Sequence, residues 1–179
     1  GIPKNVIFLT CDAFGVLPPV SKLSSDQAVQ HFLMGYTSKI AGTEEGVTEP
    51  QVTFSQCFGA PFMPRNLSVY KELLQKRISE TSVDCWLVNT GWTHGPYGTG
   101  YRMPIGLTRQ IIAGIHDGTM KNAEYKKHVY TDCMIPVSCV WIPEDILHPE
   151  KGWESLEDYK DSAKKLMKMF INCLKQRNI

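Results

Sequence analysis

The chain has 179 residues, 19 basic and 18 acidic side chains, a formal net charge of +1 and 42% hydrophobic residues. That length favours one domain, and that apolar fraction can fill a core. Near-balanced charge argues against a nucleic-acid footprint, which needs a basic patch or stripe, and apolar runs of only a few residues exclude a membrane-spanning helix.

Gly1-Ile2-Pro3-Lys4 has neither a signal-peptide pattern nor an initiating methionine. Residues 1–179 therefore read as a single (sub)domain cut from a longer protein, with Gly1 readable as a cloning scar. Val6–Thr10 is a short apolar run that reads as a buried strand. Asp12–Pro19 breaks it into a loop, since Pro18-Pro19 continues neither strand nor helix. Ser24 and Gln27 form a capping box for a helix running to about Met34 or Gly35, with Ala28, Val29, Phe32, Leu33 and Tyr36 at helical spacing.

Residues 41–66 show no period, and a stretch that long is usually functional or packed against something. Leu67, Tyr70, Leu74 and Ile78 mark a second helix, capped by Asn66 or Ser68. Cys85–Val88 is the next strand. It feeds a glycine-rich loop, Asn89 to Arg102, with four glycines and a proline. Leu107–His116 predicts a third helix, stopped by Asp117-Gly118. Lys127–Tyr130 and Pro136–Val140 are strand candidates, and 143–152 reads as loop. Ser155 and Asp158 predict a second capping box. The helix after it carries Leu156, Tyr159, Ala163, Leu166, Phe170 and Cys173 on one face. Strands alternating with helices predict an α/β layered architecture.

Several constellations invite chemistry. Glycine lacks a Cβ, so the backbone of the 89–102 loop can approach a ligand closely. It is not a P-loop, because Gly100 is followed by Tyr101-Arg102 rather than by lysine and a hydroxyl residue. Glu44, Glu45 and Glu49 suggest a metal or acid/base cluster, but loop carboxylates are more often solvated or cap backbone N–H groups. Asp12 follows a strand, where α/β folds often place catalytic carboxylates, and the same alternative, a loop carboxylate that is solvated or caps backbone N–H groups, applies to it. His31, His94, His116, His128 and His148 are dispersed and read as packing or surface residues, with His94 set apart by its place in the glycine-rich loop. Phe54, Phe58, Phe62, Trp86 and Trp92 read as core rather than as stacking platforms. The six cysteines lack zinc-ligand spacing and read as free, mostly buried thiols of a reducing cytosol rather than as disulfides.

Taken together, the segments are more specific than any one alone. Val6 to Ser21, VIFLTCDAFGVLPPVS, resembles a signature of ATP-dependent phosphoenolpyruvate carboxykinases. Matching segments follow in the family's order: His31-Phe32-Leu33 with Gly35-Tyr36-Thr37, Gly42-Thr43-Glu44 with Gly46 to Pro50, Phe54-Ser55 with Cys57-Phe58-Gly59 and Pro61-Phe62, then Leu87 to Trp92 and the Gly-Pro-Tyr-Gly loop to Arg102. The resemblance spans essentially the whole chain, more loosely after about residue 120, and only the C-terminal third of such an enzyme.

The resemblance implies an α/β fold with a mixed sheet and flanking helices, the C-terminal nucleotide-binding part of the carboxykinase fold. It implies a cytoplasmic, gluconeogenic parent enzyme that turns oxaloacetate and ATP into phosphoenolpyruvate, ADP and CO₂, with Mg²⁺ escorting the nucleotide and Mn²⁺ polarising the oxaloacetate-derived oxygens. The family's P-loop, its metal ligands and its substrate-gripping arginine lie upstream of this chain. No catalytic or metal-binding residue is therefore expected here, and the isolated chain is expected to be inactive. The family's nucleotide contacts in this segment fall on Arg102, Met103 and Thr108. Tyr101 departs from a position where lysine is frequent, and Pro104 biases Met103 away from helical geometry. The loop thus reads as a base-and-ribose clamp. A stand-alone, non-catalytic adenine-nucleotide-binding or interaction module is the alternative.

Overall fold

In a computed structural model, residues 1–40 and 46–177 are described. Their elements are β1 (Asn5–Thr10), β2 (Val20–Leu23), α1 (Ser25–Met34), β3 (Tyr36–Lys39), β4 (Gln51–Phe54), α2 (Leu67–Glu80), β5 (Asp84–Asn89), β6 (Trp92–Thr93), β7 (Tyr101–Arg102), α3 (Ile105–Asp117), β8 (Tyr125–Lys127), β9 (Met134–Pro136), α4 (Glu144–Leu147) and α5 (Leu156–Gln176). Five strands form one mixed sheet in the order β1-β5-β2-β9-β8. β1 and β5 run parallel and the remaining neighbours antiparallel. The expected α/β class with a mixed sheet and flanking helices is what the chain adopts.

β5 shows why the sheet needs helices on both faces. Side chains alternate along a strand, and here both sets are apolar. Cys85 and Leu87 enter one core with Phe8, Leu23, Met34, Tyr36, Ala163, Leu166 and Phe170, beneath α1 and α5. Trp86 and Val88 enter the other with Val20, Leu107, Ile111 and Ile115, beneath α3. α1 starts and stops where its caps direct. Ser24 and Gln27 form the reciprocal capping box, and Gly35 closes the helix in the left-handed region at φ 54°. Asn66 caps α2 and Ser155 accepts from the Asp158 amide at the head of α5.

Five expectations need correction. Tyr36 does not continue the first helix. Gly35 turns the chain out of it, and Tyr36 opens β3, paired with β4 through Tyr36–Phe54. β2 and β3 lie in stretches to which the sequence assigns no element, and β4 in the irregular 41–66 stretch, because each strand has four residues and too few alternations to stand out. The last two sheet strands lie earlier than expected, at 125–127 and 134–136. The His128 amide bonds the Cys133 carbonyl, closing a turn that takes 128–133 out of the ladder and leaves Val129 exposed. The 143–152 loop contains the single-turn α4. Of the aromatic set, Trp86 and Trp92 are buried, whereas Phe62 is 82% exposed.

The ends of β1 and β5 are joined by one polar knot. Asp12 is fully buried. Its Oδ1 accepts from the Phe14 amide (2.9 Å) and the Tyr36 hydroxyl (2.7 Å), and its Oδ2 accepts from the amides of Val16 (2.8 Å) and Leu17 (2.9 Å). Asn89 completes the join: its Oδ1 accepts from the amides of Asp12 and Gly91, and its Nδ2 donates to the Leu17 carbonyl. Burial pushes the Asp12 carboxyl above the usual carboxylate range, and the four donors pull the other way.

Asp12→Ala would leave those four donors without their acceptor, at a cost on the order of 1–3 kcal/mol for each one left dry. Urea unfolding of the variant should show a loss of at least about 3 kcal/mol; a loss under about 1 kcal/mol would mean that the loop re-pairs its amides. Two buried histidines set a pH dependence. Burial holds His31 and His128 down to about 4. The unfolded chain protonates them near 6.5, so it binds more protons than the fold at intermediate pH. Stability is therefore full above that value and falls as pH drops toward 4, by up to about 1.4 kcal/mol per pH unit for each histidine. Chemical denaturation at pH 7 and pH 5 should show this loss, and His31→Leu should make it shallower. Equal stability at both values would refute the buried neutral histidines.

Candidate functional site

In α/β sheets, ligands gather outside the carboxyl ends of parallel strands. Here β1 and β5 end side by side, at Thr10 and Asn89. The loop after β1 holds Asp12, and the loop after β5 is the glycine-rich hairpin whose arms are β6 and β7. The glycines serve this loop pair. A Cβ on Gly91 would lie 2.2 Å from the Asp12 carbonyl oxygen and 2.3 Å from its nitrogen. A Cβ on Gly15, at φ +70°, would lie 2.1 Å from the Gly95 oxygen. The close approach expected toward a ligand is thus taken up between the two loops, backbone against backbone.

The three residues that the sequence singles out occupy one short path. Arg102 ends β7, pairs with Trp92 in the ladder and donates through Nε to the Thr90 carbonyl at 3.1 Å. Its side chain is exposed, and among the described residues its terminal nitrogens make no further bond. The guanidinium's field reaches Cys11 and favours the thiolate, but burial outweighs it and raises that thiol. Met103 donates its amide to Gly91 (2.8 Å), while its side chain is 6% exposed and packs with Leu107 and Ile111. It therefore offers a ligand only a sliver of surface. Thr108 is half-buried one turn into α3. Pro104 precedes α3 as an N-cap without a side-chain hydrogen bond, and within the first turn the Leu107 amide donates to the Pro104 carbonyl (3.0 Å), so no side chain neutralises the positive end of the helix dipole.

Sequence reasoning missed what surrounds His94. Its backbone is left-handed, at φ 59°. Its Nε2 bonds Asp145 Oδ2 at 2.9 Å, its Nδ1 lies 3.3 Å from Thr93 Oγ1, and its ring stacks on Tyr101 with centroids 4.9 Å apart and planes 29° apart. Asp145 is 51 positions away in α4, so no local pattern could pair the two. The buried histidines are packing groups. His128 bonds Thr131 and Tyr159, and His148 Nε2 bonds the Val137 carbonyl.

Glu44 and Glu45 lie outside the described residues, so their proposed clustering with Glu49 has no geometry to weigh. Among the described residues, no group of three His, Cys, Asp or Glu side chains is gathered as a metal site would require. The six cysteines are free thiols, and five of them are buried. No helix of the described residues is long and apolar enough to cross a membrane.

Comparison with known proteins gives a consistent relationship. A family model described as phosphoenolpyruvate carboxykinase matches residues 1–145. The phosphoenolpyruvate carboxykinase (ATP) of Roseobacter denitrificans is 53% identical over 176 residues, covering 98% of this chain and 33% of that protein. Its counterpart in Brucella suis is 54% identical over 172 residues, covering 96% of this chain and 32% of that protein. In a Ruegeria species the same enzyme is 52% identical over 176 residues. The chain spans about a third of the length of these curated relatives. With its mixed sheet, paired loops and unbroken match through the glycine-rich hairpin, the chain belongs to the ATP-dependent phosphoenolpyruvate carboxykinase family.

Proposed function

We propose that the chain is the C-terminal part of an enzyme that converts oxaloacetate and ATP into phosphoenolpyruvate, ADP and CO₂, and that it supplies the adenine and ribose side of the ATP site. The observation that carries this reading is the family match over residues 1–145, which takes in Arg102, Met103 and Thr108. On this reading the parent acts in the cytoplasm, in gluconeogenesis.

The local chemistry supports the assignment. Nε of Arg102 is fixed on Thr90, so the guanidinium fork points from a set origin. A fork of that kind can hydrogen-bond ribose or phosphate oxygens, or lie flat against an adenine ring. The uncapped start of α3 adds a positive dipole end next to the Thr108 hydroxyl. Met103 acts mainly from within the core, setting the turn between Arg102 and α3, with its small exposed edge against the base. A P-loop signature is missing from these 179 residues. The described side chains do not fit a divalent cation. The residues that hold the phosphates, Mg²⁺ and Mn²⁺ are assigned to the part of the parent protein beyond this chain.

The test is made on the full-length parent. Arg102→Ala should raise KM for ATP about tenfold or more, the loss of one charge-assisted contact worth about 1.5–3 kcal/mol. KM for oxaloacetate should stay within about twofold. Equal weakening toward both substrates would sink the assignment. The isolated 179-residue chain should show no turnover; a rate comparable to that of the parent enzyme would place the catalytic residues inside it.

A further inference from the structure

A left-handed backbone is costly for any residue with a Cβ, by about 1–3 kcal/mol. His94 nevertheless sits at φ 59°, beside the positive-φ Gly95. What the side chain does there explains the cost. Its ring is wedged between two parts of the chain. On one side is Tyr101, stacked at 4.9 Å. On the other are Asp145, hydrogen-bonded at 2.9 Å, and Gly152, where an added Cβ would meet His94 Cδ2 and Nε2 at 3.0 Å. The imidazole thus joins the glycine-rich hairpin to the α4–Gly152 segment.

The hairpin needs such an anchor. Its ladder has only two residue pairs, Trp92–Arg102 and Thr93–Tyr101. A two-stranded hairpin is marginal by itself, and one this short cannot hold an arginine in place through its ladder alone. Neighbouring side chains on a strand point to opposite faces. Tyr101 therefore faces away from Arg102, and the stack on His94 grips the back of the strand that presents the guanidinium.

We propose that His94, Asp145 and Tyr101 form a clamp that positions Arg102 toward the nucleotide, with His94 and Asp145 as positioning residues that do not touch the ligand. The proposal rests on the assignment of Arg102 to the ATP site. A displaced contact group can cost a large part of what its removal costs.

Glycine makes a discriminating substitution at position 94, because it adopts the left-handed conformation freely while removing the clamp. In the full-length parent, His94→Gly relieves the left-handed strain, which offsets part of the stability lost with the clamp, and should raise KM for ATP about fivefold or more, with KM for oxaloacetate within about twofold. Asp145→Ala should match it. Asp145→Asn, which keeps an oxygen acceptor for Nε2–H, should stay within about twofold of the parent. Combined with Arg102→Ala, His94→Gly should add nothing, since a clamp acting through Arg102 has nothing left to position. If His94→Gly and Asp145→Ala leave KM for ATP unchanged while Arg102→Ala raises it, the clamp is refuted and the Arg102 assignment stands. If all three leave it unchanged, the Arg102 assignment fails and the clamp with it. Additive effects in the double variant would also overturn the proposal.

Discussion

The architecture around the site depends on a single buried carboxylate. Asp12 sits where β1 ends, with no exposed surface, and satisfies the loop amides of Phe14, Val16 and Leu17 and the Tyr36 hydroxyl. An unpaired charge at that depth would be prohibitive, and unpaired amides would be nearly as costly. Each group therefore requires the others, and the loop has one shape. Asn89 extends the constraint to the neighbouring strand by taking both the Asp12 and Gly91 amides on one oxygen. The first residues of the two loops cannot move apart without breaking buried hydrogen bonds. The glycines at 15 and 91 let the backbones close to the distance that this bonding demands. Arg102 inherits its position at second hand, through its own bond to Thr90 and the Met103 amide on Gly91.

Long helices and buried strands could be read from the chain itself, because their signals are local. The Ser24–Gln27 box, the Asn66 cap and the Asp117-Gly118 stop each lie within one turn of the boundary that they specify. The α5 face from Tyr159 to Cys173 repeats often enough to be unambiguous. Short strands have no such redundancy. β3 has four residues and pairs with β4 across a segment whose centre lies outside the described residues. Val129, Val137 and Val140 suggested strands by composition, yet all three lie exposed, because β propensity measures fit to a half-buried surface rather than a backbone preference.

The candidate site was legible in outline and misread in cause. Its location after β5 and its end at Arg102 follow from sequence order. The purpose of the glycines does not, since sequence cannot distinguish a backbone approached by a ligand from one approached by another loop. Asp12 follows a strand, which invites a chemical role, but geometry bears out the other reading, a loop carboxylate that caps backbone N–H groups. All its acceptor positions are filled by the protein, which leaves none for a substrate proton. His94 drew notice only for its neighbourhood. Its partner Asp145 lies in a four-residue helix that no periodicity announces, so the pair exists only once the fold has formed.

The same geometry limits what this third of the parent can do under the proposed function. Phosphoryl transfer needs charge neutralised on the transferring group and reactants held in line. The groups assigned to the nucleotide are the exposed Arg102 guanidinium, a helix start without a side-chain cap and the Thr108 hydroxyl. These groups can recognise a base and a sugar and orient what is attached to them. Asp12, whose carboxylate oxygens already accept four protein hydrogen bonds, is not free to serve as a base. Binding and chemistry are then divided along the chain. On the proposed function, the C-terminal part would fix the end of the nucleotide that does not react, on a loop pair held by a buried carboxylate, and the remainder of the parent would act on the end that does.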